Sequence, residues 1–128
     1  MIQARHISSM PYTFKELAQM QLDNSTNWGG VTNLGNYAAG KYLIILTTLL
    51  RQTTGLTRNI YFRYKAGNTT SHESIWNVID GTTSYWNGAT MITEIELKQS
   101  EDIIVQSKAE AACNFTANYI RIYVLKVS

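Results

Sequence analysis

The sequence predicts an all-β protein folded as one sandwich of short strands, and three observations carry that expectation. Short runs alternate apolar with polar residues, and each ends in a glycine- or asparagine-bearing turn. Thr, Asn and Ser number 15, 10 and 9, a mixture that suits solvent-facing strands and turns and suits helices poorly. No stretch carries a sustained helical period.

Taken in order, residues 1–13 read as an extended N-terminal arm, with the domain proper over 14–128. Tyr12, Phe14, Glu16 and Ala18 alternate as a first strand, against a competing helical spacing of Phe14, Leu17, Ala18 and Gln21. Residues 23–36, rich in Asn, Ser, Thr and Gly, read as a long connection holding Trp28. The clearest strand follows, Lys41 to Arg51. Tyr42, Ile44, Leu46 and Leu50 point one way, and Leu43, Ile45 and Leu49 the other. A sheet in an antiparallel sandwich covers the core with one face only, so the second apolar face predicts self-association. Arg58 to Ala66 alternates Ile60, Phe62 and Tyr64 with Tyr61, Arg63 and Lys65, and Gly67-Asn68 closes it. Shorter strands are expected over 73–79, 90–98, 103–108 and 118–127, with Tyr85, Trp86 and Asn87 in a loop. The longest unbroken apolar run, Tyr42 to Leu46, is far below the roughly 20 residues a membrane helix needs.

Three of these stretches together resemble the trimeric jelly roll of the tumour necrosis factor and C1q-like family. Gly40-Lys41-Tyr42-Leu43-Ile44-Ile45 looks like that family's Gly-x-Tyr opening of a long central strand. Ile95-Glu96-Leu97-Lys98 followed by Glu101-Asp102-Ile103-Ile104-Val105 is similar to its leucine, short turn and apolar-strand hairpin, with Glu101 where the family has glycine. Tyr119 to Val124 resembles its closing strand. The resemblance implies a jelly roll of about eight strands in two antiparallel sheets. It also implies a homotrimer with Leu43, Ile45, Tyr119 and Tyr123 facing the threefold axis. Virion proteins of phages and other viruses use the same trimeric fold to decorate capsids and to head fibres. The expectation is therefore a non-enzymatic decoration protein, made in the host cytoplasm and carried on the virion. Its partner is the major capsid protein or another virion protein, gripped by Ile2, Arg5, Ile7 and Met10 of the arm.

Other chemistry is weakly represented. A net charge of +2 does not suit a nucleic-acid binder, and Arg58, Arg63 and Lys65 with Tyr61 and Tyr64 read as a charge-protected edge strand. Two histidines, His6 and His72, and the single cysteine, Cys113, offer little for nucleophilic catalysis. Glu94 and Glu96 share a strand face with Lys98, the pattern of a solvated surface. No calcium-loop or phosphate-cradling spacing occurs, so no metal or cofactor is expected. The alternative function is a receptor- or glycan-binding head. Aromatic rings stack on pyranoses and amides bond their hydroxyls, which makes Trp76, Tyr85, Trp86 and Asn87 the candidate contacts.

Overall fold

A computed structural model describes residues 12–21, 25–52, 57–78, 86–110 and 115–128. The strands are β1 (Tyr12–Gln21), β2 (Gly29–Tyr37), β3 (Gly40–Gln52), β4 (Arg58–Ala66), β5 (Thr69–Thr70), β6 (Ser74–Val78), β7 (Asn87–Leu97), β8 (Glu101–Ala109) and β9 (Phe115–Lys126). They form two antiparallel sheets, one of four strands in the order β1-β9-β3-β7 and one of five in the order β2-β8-β4-β5, with β6 also on β4. The expected jelly roll is present, as nine strands rather than about eight because β5 is a separate two-residue piece.

The pairing has a simple logic. Tyr12 pairs with Leu125, Gly40 with Leu97 and Arg58 with Val78, so the partner retreats along the chain as fast as the strand advances. The chain is one long hairpin whose tip is the turn at Gly67-Asn68, wound so that its successive strand pairs, β4 with β6, β3 with β7, β2 with β8 and β1 with β9, fall in alternate sheets. Lateral pairs between β3 and β9 and between β4 and β8 close each sheet.

Alternation puts the core where the sequence places it. Tyr42, Ile44, Leu46 and Leu50 of β3 are buried against Ile60, Phe62 and Tyr64 of β4, with Ile103, Val105, Ile120, Ile122 and Val124 completing the interior. Each such side chain taken from water contributes roughly 1.5–3 kcal/mol. Two polar side chains inside are bonded: Gln52 Nε2 donates to the Val78 carbonyl at 3.1 Å, and Thr48 Oγ1 to that of Asn118 at 2.9 Å. The second bond braces a bulge in β9. Thr47 faces Arg121 but Leu49 faces Asn118, and Tyr119 absorbs the extra residue at φ 53°.

Three expectations change. The connection read over 23–36 contains β2, an edge strand whose two register shifts spoil any alternation. The strand read as a charge-protected edge, β4, lies inside its sheet between β8 and β5/β6, and Tyr64 faces the core. Finally, β1 begins at Tyr12, so Tyr12 and Thr13 belong to the sheet and not to an arm over 1–13. The competing helix over 12–21 does not form.

Tyr64 makes a prediction. Its hydroxyl is buried without a hydrogen-bond partner among the described residues, and burial pushes its pKa well up. An unpaired buried hydroxyl costs about 1–3 kcal/mol, so Tyr64→Phe is expected to stabilise the protein by about 1 kcal/mol. The folded state holds the phenolic proton more tightly than the unfolded chain does. Stability from this group is therefore complete below pH about 10, and it falls as pH rises further, by up to about 1.4 kcal/mol per unit. Urea unfolding between neutral and strongly alkaline pH checks both effects: Tyr64→Phe should lie above the parent and decline less steeply.

Candidate functional site

The outer face of the four-stranded sheet is built by the same alternation that builds the core. Phe14 pairs with Tyr123, Tyr123 with Ile45 and Ile45 with Ile92, so one apolar rung crosses all four strands. The next rung is Tyr12, Leu125 and Leu43, ending on Glu94. In the other direction the rung is polar: Glu16, Arg121, Thr47 and Thr90.

This face is open to solvent in the single chain. Ile92 is 62 % exposed, Tyr12 57 % and Phe14 46 %, while Leu43, Ile45 and Tyr123 are half-buried by their neighbours. The Phe14 and Tyr123 rings lie 4.8 Å apart at 44°, an aromatic contact that stiffens the patch. An apolar centre with charged and hydroxyl-bearing neighbours has the anatomy of a protein–protein interface. Of the four residues expected at a threefold axis, Leu43, Ile45 and Tyr123 fall inside this patch. Tyr119 stands apart at the β9 bulge, 70 % exposed and beyond the polar rung.

No protein-family model matches the chain, and no curated protein is significantly similar to it.

The expected glycan contacts that are described come from strands of both sheets. Trp76 belongs to β6 of the five-stranded sheet and packs against the core, with Ile75 and Asn77 turned outward. Trp86 precedes β7 of the other sheet, and the Arg51 guanidinium lies 5.4 Å from its ring centre. Asn87 is half-buried, its Nδ2 without a partner among the described residues. Tyr85 lies outside the described residues, as do Ile2, Arg5, Ile7 and Met10 of the arm and Cys113 and His6.

Glu94 and Glu96 are exposed on β7, as a solvated face requires. Among the described residues no group of three His, Cys, Asp or Glu side chains could hold a metal, and no helix is long and apolar enough to cross a membrane.

A cluster missed by sequence reasoning occupies the outer face of the five-stranded sheet. Trp28 lies with the Arg63 guanidinium carbon 4.2 Å and Lys108 Nζ 4.9 Å from its ring centre, and Lys108 also reaches the Tyr61 ring at 5.2 Å. Alternation along β4 already separated Tyr61 and Arg63 from the core. The signal for Lys108 and Trp28 was missing because they come from different stretches of sequence, joined only by strand register.

Proposed function

We propose that this protein is a non-enzymatic structural component that associates as a homotrimer through the outer face of its four-stranded sheet. In this reading it decorates a capsid as part of a virion. One observation carries the association: an exposed apolar rung, Phe14–Tyr123–Ile45–Ile92, backed by Tyr12, Leu43 and Leu125. Contiguous apolar patches of this kind on soluble proteins mark interaction sites. A closed cyclic assembly buries the patch without leaving a further copy's patch open, which avoids runaway growth.

The trimer is supported by the resemblance of Gly40–Ile45, Ile95–Val105 and Tyr119–Val124 to a trimeric jelly-roll family, and the wound-hairpin topology agrees with it. The virion setting is supported by the same resemblance to decoration proteins. Light scattering of the purified protein at micromolar concentration is expected to give three times the 14.5 kDa chain mass. Electron microscopy of the particle that carries it should then show threefold density on the shell. A monomer in solution, or a particle without such density, overturns the corresponding half of the proposal.

A further inference from the structure

The outer face of the five-stranded sheet points away from the patch proposed for association, and its Trp28 cluster has no part in that role. Tyr61 pairs with Lys108 and Arg63 with Gln106, so register alone sets the cations side by side on neighbouring strands. Both converge on one indole, within 4.2 and 4.9 Å of its centre. The electron-rich ring face attracts each cation, and it also holds two like charges close together. Among the described residues neither cation forms an ion pair.

The carboxylates nearby are turned to other work. Glu110 Oε1 accepts the Asn59 backbone N–H at 2.6 Å. Asp102 accepts from Asn33 Nδ2 at 3.0 Å and Asn36 Nδ2 at 3.1 Å, bonds that hold its pKa below the usual carboxylate value. Two converging cations with no neutralising partner are a place where an anionic group gains charge-assisted hydrogen bonds. Their side chains are already fixed, Arg63 by a 2.7 Å bond from Nε to Gln106 Oε1 and both by the ring, so little rotamer freedom is left to lose.

Gln106 also opens onto a groove of about 560 Å³ lined by Gly30, Asn36, Lys65, Glu101 and Asp102. That volume lies within the roughly 300–1,000 Å³ of small-molecule sites. Its lining cation is Lys65 and its lining carboxylates are Glu101 and Asp102, while Gln106 joins it to Arg63 through their 2.7 Å bond. A uniform polyanion laid along it would bring phosphates against Glu101 and Asp102. A chain of neutral hydroxyls would find acceptors there, and amides at Asn36 and Gln106.

We propose that this face binds an acidic saccharide, with its carboxylate, sulfate or phosphate between Arg63 and Lys108 and its neutral sugar hydroxyls in the adjoining groove. The proposal stands apart from the glycan contacts expected around Trp76 and Trp86, and it does not require the trimer.

Calorimetric titration of the whole protein with sialyllactose, an oligogalacturonate and a sulfated galactose oligomer, each beside its neutral counterpart, tests it. At least one acidic member is expected to bind about tenfold or more tighter than its neutral form, since a charge-assisted hydrogen bond carries a tenfold effect or more. The double variant Arg63→Gln, Lys108→Gln is expected to erase that difference with an unchanged far-ultraviolet spectrum. Should the double variant not fold, Lys108→Gln alone is expected to remove most of it. Equal binding of acidic and neutral forms across the panel overturns the proposal, as does a preference that survives the substitutions. Tighter binding of a single-stranded oligonucleotide than of every acidic sugar overturns it in favour of a nucleic-acid surface.

Discussion

Ile45→Lys is expected to convert the proposed trimer to folded monomers at micromolar concentration. Ile45 sits mid-rung, between Tyr123 and Ile92, where a single chain leaves it half-buried on a solvated sheet face. In the monomer the lysine stem lies along its apolar neighbours and the ammonium reaches water, so the fold is retained. In the proposed trimer the same ammonium would be buried without a partner, at about 3–5 kcal/mol for each uncompensated charge. Tyr123→Asp acts the same way and also removes the ring contact with Phe14. Thr90→Lys, on the polar rung, is the control and should leave the mass unchanged. Light scattering reads all three, and trimers that persist in both Ile45→Lys and Tyr123→Asp rule out this interface.

Among the described glycines, Gly40→Val is expected to be the most damaging single substitution. Gly40 has φ +151°, a conformation that side chains rarely adopt. A Cβ there would stand 2.8 Å from the Ser128 carbonyl oxygen and 2.9 Å from Lys126 Cε. The lysine stem can swing aside. The carbonyl cannot, because it accepts the Lys41 N–H at 3.1 Å and Val127 N–H donates back to the Lys41 carbonyl at 2.9 Å. Strain and clash together set a loss of about 2–4 kcal/mol, or roughly 10 °C in melting temperature. Gly35→Ala separates the two causes: its φ is +109° but nothing lies within 4 Å of the added methyl, so about 1 kcal/mol is expected. Calorimetric melting of both variants decides, and equal losses would refute the steric part.

The Gly40 result also shows what a motif in the sequence stood for. Gly40-Lys41-Tyr42 is legible as a strand opening, but the need for glycine comes from the far end of the chain passing beside it. Tyr42 closes the same corner, its hydroxyl donating to the Ala38 carbonyl at 2.7 Å and its ring meeting Tyr37 edge-on. Strands buried on one face were readable wherever alternation held: β3, β4 and β7 follow their apolar period residue by residue, and β9 does so beyond its bulge, from Ile120 onward. β2 was not readable, because Gly29, Gly30, Gly35 and two register shifts leave no period to detect. The doubly apolar face of β3 announced an interaction surface, and parity along β9 gave Tyr123 its side. What parity cannot give is register. The positions of Phe14 and Ile92 on the same rung, and of Lys108 beside Tyr61, depend on which strands lie next to each other. The reading of β4 as an edge failed for the same reason, since sheet order is a long-range property.

The wound hairpin constrains how the chain finds its shape. Direct closure of β1 on β9 from an open coil would fix two segments separated by nearly the whole chain, and β2 on β8 scarcely fewer. Starting at Gly67-Asn68 removes that difficulty, because each pair that forms brings the next two strands within a short connection of one another. Loop closure then costs a small increment at every step in place of one large one. Folding is expected to run outward as a zipper, β4 with β6, then β3 with β7, then β2 with β8, and β1 with β9 last. Pulse-labelled amide exchange would show protection arriving in that sequence. The strand that contributes Tyr12 and Phe14 to the association patch is the last to dock, so the patch is completed only once the rest of the sandwich is in place.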